Sequence, residues 1–213
     1  MKVYMKGFRR LGRHIISFLK SAHYPHIDNN AFVDDSVKVY NPENLYMEEN
    51  TNIDAGGIII NTRAKLVFKK NSGAAIGLMV ITGNHMSSVG LNLKQVTDDV
   101  KDALDINHEM DKDVVVEEDV WIGARVTLLS GVRLGRGCEI GSGSVVRGTI
   151  PPYAVVIGNP CKIVGFRFTP NEIIEHEKIQ YKESDRLPEE MLLMNYEKFF
   201  INRIKDIKQF TKL

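Results

Sequence analysis

From Val116 an aliphatic side chain returns at every sixth position: Val116, Ile122, Leu128, Leu134, Ile140 and Val146. A helix repeats near 3.6 residues and a strand near 2, so this period fits neither alone. It fits one short strand plus one corner, repeated as the chain coils about an axis, with the aliphatics stacked in an interior column. Four residues after each column member come Val120, Val126, Val132, Cys138, Ser144 and Ile150, all compact, as a narrow prism requires. Gly123, Gly135 and Gly141 directly follow column residues, at corners where left-handed backbone angles are expected. The pattern predicts a mainly β fold, a parallel β-helix of hexapeptide repeats.

The same period runs less cleanly upstream. MEENTN and IDAGGI give faces starting at Met47 and Ile53, KKNSG is expected to break the phase, and Ala74 and Val80 resume it. Ala31 to Glu49 is expected to hold irregular first coils. Between His85 and Asp113 the repeat vanishes into a polar, partly acidic stretch. Insertions in solenoids leave from corners, so residues 86–113 are expected to form a projecting arm, with a helical turn in VTDDVKDAL. Pro151 and Pro152 are incompatible with central ladder positions and place the end of the regular coil near Ile150. Short helices follow. Thr169, Pro170 and Glu172 form a capping-box signal, and a second helix from Leu187 carries the stripe Leu192, Tyr196, Phe199, Ile204 and Ile207. The expected organisation is a helical or irregular segment over 1–30, the coil with its arm over 31–165, and a helical extension over 166–213.

Composition narrows the partners. A net charge of +1 gives no overall attraction to nucleic acid or anionic membrane. The basic N-terminal segment holds no apolar run longer than IISFL, too short to span a bilayer, so a short docked helix and no stable membrane insertion are expected. Two cysteines make no disulfide framework, and Cys138 falls at an interior position, so a reducing, cytoplasmic setting is expected. Of the histidines His14, His23, His26, His85, His108 and His176, only His85 falls inside the repeats, which argues against a zinc lyase built on such a coil.

His85 ends a coil face where the arm begins, a place where a side chain borders a cleft. An imidazole takes a proton near neutral pH and so suits a general base acting on a hydroxyl or amine. A histidine at a strand end is also an ordinary surface residue, and position alone does not choose between these roles.

The stretches VEEDVWIGARVTLLSGVRLGRGCEIGSGSVV and IPPYAVVIGNPCKIV resemble the hexapeptide-repeat acyltransferases of the left-handed β-helix class, most of all the maltose, galactoside and virginiamycin-type O-acetyltransferases. The resemblance covers roughly residues 47–164. It implies a left-handed coil, acetyl-CoA as co-substrate, no metal, and a homotrimer with sites between subunits. It implies His85 as the base that deprotonates an acceptor hydroxyl for direct attack on the thioester, and the Ala124 amide as the oxyanion contact. Trp121, Ser142 and Gly143 fall where relatives carry cofactor contacts, and Arg147 and Lys162 are cations for its phosphates, with Arg167 a third. Glu109 matches the spacing of a loop glutamate that helps position acceptor or base, with His108 beside it as a substitute; on the substrate side Asn84 is expected to orient the histidine or acceptor and Asp54 to face a neighbouring subunit's site. The arm reads HMSSVG where virginiamycin acetyltransferases carry an H-x-M-D-G-type sequence. That departure disfavours an antibiotic acceptor and favours a sugar hydroxyl or amine; the expected acceptor is a hydroxyl of a sugar or surface-polysaccharide precursor, with antibiotic or amino-sugar N-acetylation as the alternative. A non-catalytic assembly module is the alternative from a different class.

Overall fold

The computed structural model describes residues 24–211, and most of the basic N-terminal segment lies outside them. Among the described residues, eighteen short strands form three sheets that follow one another around the axis. The first sheet holds His26–Ile27, Leu45–Met47, Leu66–Phe68, Val114–Val116, Arg133–Leu134 and Thr149–Ile150. The second holds Phe32–Val33, Asn52–Ile53, Gly73–Ala74, Trp121–Ile122, Glu139–Ile140, Ala154–Ile157 and Lys162–Phe166. The third holds Lys38–Val39, Ile58–Ile60, Met79–Ile81, Thr127–Leu128 and Val145–Val146. Among the described residues all pairings between these strands are parallel except that of Ala154–Ile157 with Lys162–Phe166. The chain is a parallel β-helix, as its period required.

Register shows how the repeat is kept. Val115 pairs with Arg133, Trp121 with Glu139 and Thr127 with Val145, eighteen residues on in each case, which is three faces of six. Val116, Ile122, Leu128, Leu134 and Val146 are fully buried, and so are Val126, Val132, Cys138 and Ser144 in the second column. Each buried Leu or Ile side chain contributes roughly 1.5–3 kcal/mol. The one polar member is satisfied: Ser144 Oγ donates to the Gly141 carbonyl at 2.6 Å and accepts from the Gly158 amide at 3.0 Å. Burial raises the Cys138 thiol far above its ordinary range and favours its protonated form.

Departures from eighteen all fall at one corner, between the third sheet and the next strand of the first. The first coil is lengthened there by the 3-10 turn Pro42–Asn44, and Tyr46 pairs with Val67 twenty-one residues on. Val67 then pairs with Val115, forty-eight on, because the arm leaves from the same corner. Later, Arg133 pairs with Thr149, only sixteen on. Polar interior residues accommodate these excursions. Asn61 exchanges hydrogen bonds with both backbone groups of Asn41, and Thr82 Oγ1 donates to the Ala64 carbonyl at 3.1 Å. The phase break expected in KKNSG is therefore misplaced. Phe68 and Ala74 are both interior and six apart, so KKNSG is an ordinary corner, and the three extra residues lie between Ile60 and Leu66. His26 also belongs to the coil, stacked on Tyr46 at 4.4 Å, so His85 is not the sole histidine of the repeats.

Two further expectations are corrected at the glycines and the prolines. Gly123, Gly135 and Gly141 do not adopt left-handed angles; the positive-φ corners belong instead to residues such as Asp119, Arg125 and Gly143. Those glycines are needed because a Cβ at Gly123 would lie 2.7 Å from the Ser142 amide nitrogen, and one at Gly135 2.5 Å from Pro152. The prolines do not end the coil. They occupy a corner at which the Tyr153 amide donates to the Arg136 carbonyl at 2.8 Å, and Ala154–Ile157 adds one more parallel rung.

Within the arm, helix α1 (Asp98–Leu104) starts at Thr97, whose side chain accepts from the Val100 amide. After the coil come α2 (Pro170–Gln180), α3 (Glu189–Phe199) and α4 (Ile204–Thr211). The capping box at Thr169 and Glu172 forms as expected, with the Thr169 amide donating to Glu172 Oε2 at 2.8 Å. The expected single stripe is split at Phe200, so Ile204 and Ile207 belong to a separate helix. Tyr153, Ile173 and Leu192 make a satellite core beneath α2 and α3. Inside it Glu177 accepts from Tyr153 Oη at 2.5 Å, Arg136 at 2.9 Å and the Leu187 amide at 2.9 Å, so this buried carboxylate is fully partnered.

Replacing Gly123 by Ala is expected to destabilise the coil by about 1–3 kcal/mol through overpacking against the next rung. Equilibrium urea unfolding checks this, and an unchanged midpoint would show that the rungs have room there.

Candidate active site

His85 lies just past the third sheet, at the corner from which the arm departs, and its side chain is exposed. The two residues before it are fastened to the returning arm. Gly83 makes an isolated antiparallel bridge to Asp111, and the Asn84 amide donates to the Met110 carbonyl at 3.0 Å. Asn84 Nδ2 donates to the same carbonyl at 3.2 Å, so this side chain braces the arm rather than the imidazole. Glu109 is also on the arm, exposed, and paired with Lys112 at 2.5 Å. Such an exposed pair contributes little. His108, φ +52°, lines a small cleft of about 230 Å³ with Arg63 and Asp111.

Beneath this corner lies a group of charges that the sequence did not announce. Asp111 accepts from Arg63 Nε at 2.6 Å and from Lys101 Nζ at 2.6 Å, and its side chain is only 3% exposed. Arg63 also contacts Asp102 of α1. Burial by itself would raise the Asp111 carboxyl, but the bonds and charges of Lys101 and Arg63 outweigh it and hold the carboxyl below its usual range.

Ala124, Ser142 and Gly143 meet at a different corner, between the second sheet and the third. There the Gly143 amide donates to the Ala124 carbonyl at 2.9 Å, and the Ala124 amide to Ser142 Oγ at 3.2 Å. Gly143, φ +73°, has open space where a Cβ would stand, so this edge presents bare backbone. Lys162 sits at the end of the same edge, its ammonium 4.6 Å over the Phe210 ring beside Gly158. Arg147 does not join it. It follows Val146 into the corner that carries His85.

Trp121 stands on the second sheet between Gly73 and Glu139 on the neighbouring rungs, and the residue is 61% exposed. Gly73 offers no side chain to cover it. The gap forms part of a cleft of about 350 Å³ lined by Asn52, Asn71, Asp119, Trp121, Glu139 and Arg167, among others. Arg167 is committed there to Asp119 at 2.7 Å. Asp54 lies one residue past this face and accepts from Asn52 Nδ2 at 2.9 Å. One chain thus brings together Trp121, Ala124, Ser142, Gly143, Lys162 and Asp54 along the second sheet and its far corner. It keeps them apart from His85, Asn84, Glu109 and Arg147 by the width of the third sheet.

Residues 113–148 match the family model of the bacterial transferase hexapeptide, six repeats. A chloramphenicol acetyltransferase of Klebsiella aerogenes is 46% identical over 59 residues, which are 28% of this chain and 28% of that protein. The chain thus spans well under a third of the length of that curated relative. A maltose O-acetyltransferase structure from Clostridium difficile is 26% identical, with a TM-score of 0.53 over 65% of this chain and 67% of the other. A hexapeptide-repeat-containing acetyltransferase from Vibrio cholerae shares the fold, with a TM-score of 0.59 at 20% identity over 71% of this chain and 78% of the other.

The repeat segment thus matches the bacterial transferase hexapeptide family, and the coil resembles that of a maltose O-acetyltransferase. Arg63, Lys101 and Asp111 carry no signal in the sequence because their contacts span up to forty-eight residues and follow no motif. A signal did exist for Asn71 and Asp119 of the Trp121 cleft. They repeat at one left-handed corner, a conformation in which Asn and Asp are enriched. Among the described residues no helix is long and apolar enough to cross a membrane, and no group of three His, Cys, Asp or Glu side chains is placed to hold a metal ion.

Because the Asp111 carboxyl is depressed in the folded chain, its contribution is present above the ordinary carboxylate range near pH 3.8 and is lost as pH falls through its lower folded value. Limited proteolysis across pH 7 to 3 is expected to show arm cleavage appearing only below that range. Cleavage that sets in near pH 5 to 6 would assign the arm's docking to other groups.

Proposed function

We propose that the chain transfers an acetyl group from acetyl-CoA to a hydroxyl of a sugar or surface-polysaccharide precursor, with His85 as general base. The observation that carries this is the exposed imidazole at the one corner where the coil is interrupted, in a chain whose repeats match a transferase family. His85 accepts the acceptor's hydroxyl proton as its oxygen attacks the thioester carbonyl carbon. The carbon–sulfur bond then breaks, and the CoA thiolate takes the proton back from the imidazolium. The oxyanion forms against the Ala124 amide, displacing the Ser142 hydroxyl from it. Pantetheine lies along the bare edge of Ser142 and Gly143, Lys162 serves the phosphates from that edge and Arg147 serves them from the facing corner of a second chain, and Trp121 flanks the cofactor's arm. Asn84, Glu109 and Asp54 border the acceptor.

Base and cofactor edge occupy different corners of one coil, so a complete site needs two chains. We therefore infer a homotrimer with sites between subunits. The arm supports this: Val89, Leu93 and Ile106 all stand exposed, apolar surface that a neighbouring copy would cover.

His85→Ala is expected to lower kcat by roughly 10²–10⁴ in a thiol-release assay run with acetyl-CoA and a panel of sugar acceptors. Chloramphenicol belongs in that panel, given the identity to its acetyltransferase. A loss of less than tenfold would remove His85 from the role of base.

A further inference from the structure

Three separate parts of the chain converge on Asp111. Its carboxylate is held by Arg63 of the coil and by Lys101 of α1, whose own side chain is only 7% exposed. Its backbone bridges Gly83, two residues before His85. A Cβ at Gly83 would stand 2.6 Å from Asp111 Oδ1, so the carboxylate rests directly on the backbone that leads to the imidazole. On either side the Asn84 amide donates to Met110 and the Lys112 amide to Thr82, each at 3.0 Å. Asp105 completes the turn by accepting from the Glu109 and Met110 amides at 2.8 and 2.9 Å.

We propose that Asp111, clamped between Lys101 and Arg63, is a positioning residue that fixes the Gly83–Asn84 backbone and with it the direction of His85. This rests on His85 being the base. The coil core makes no use of these charges, so losing one of them loosens the arm and leaves the prism intact. Removing one cation leaves a buried carboxylate short of a partner, and the arm opens to rehydrate it. A misplacement of ~1 Å in a catalytic group costs on the order of 10²-fold in rate.

The test compares wild type, Lys101→Met and Lys101→Arg in the full chain by amide hydrogen exchange, by the His85 ring resonances, and by thiol release from acetyl-CoA. Lys101→Met is expected to speed exchange of the Asn84 amide at least tenfold and to move the His85 resonances toward those of free histidine. The coil amides should keep their protection. Turnover should fall on the order of 10²-fold with KM for acetyl-CoA unchanged, and Lys101→Arg should restore all three readouts. Wild-type exchange and resonances in Lys101→Met would overturn the proposal, as would a loosened arm with undiminished turnover. If His85→Ala itself keeps its turnover, the assignment of the base fails separately, while exchange and resonances still decide whether Asp111 orients this histidine.

Discussion

Everything in this molecule depends on the narrowness of the prism. Its interior admits a column of aliphatic side chains and a second column of compact ones, and nothing larger than Phe68 or Leu128 is fully enclosed in it. Because neighbouring rungs are joined by parallel ladders, a change of length in one coil must be absorbed at a corner or the columns lose register. The chain uses a single corner for this. It absorbs the turn at Pro42–Asn44, the extra residues after Ile60 and the whole arm there, with Asn61 and Thr82 satisfying the backbone that the excursions would otherwise strand. At the other two corners the six-residue count holds, and left-handed residues such as Asn71, Asp119, Arg125 and Gly143 repeat from rung to rung.

On the proposed function, that division of labour also divides the site. A regular corner offers a straight edge of exposed backbone, as at Ala124, Ser142 and Gly143, suited to a long, thin co-substrate. The irregular corner offers a side chain free of the ladder and an arm to hold it, as at His85. Charge then does locally what apolar packing does in the prism. Asp111 gathers Arg63 and Lys101 to seat the arm, and Glu177 gathers Arg136 and Tyr153 to seat the helical extension over the last rungs. The antiparallel strand Lys162–Phe166 covers the edge that the second sheet would otherwise expose there.

Much of the fold was legible because volume restriction writes itself into the sequence at a fixed interval. The columns from Val116 to Val146 and from Val120 to Ile150 are interior residue for residue. Legibility failed where the physical cause was not periodic. The three-residue slip was hidden by Phe68, an aromatic standing where aliphatics were being counted. The corner glycines were recognised, but for a conformational reason, whereas the approach of the next rung is what excludes a side chain. Pro151 and Pro152 suggested an end that Tyr153 bypasses by taking over the ladder bond. At the candidate site, His85 and the arm were visible as an interruption, and Trp121 and Ala124 through family resemblance. The Asp111 cluster was invisible because its partners are distant in sequence and individually ordinary.

The central claim is that His85 of one chain works against the Ala124–Gly143 edge of another. Subunit complementation tests it most directly. Two inactive variants are co-expressed, His85→Ala and Gly143→Phe, the second blocking the bare edge while leaving its own imidazole in place. If sites form between chains, mixed trimers regain activity, with about a quarter of all sites intact for random assembly of equal amounts. A mixture as inactive as either parent would contradict the account and place the whole site within a single chain.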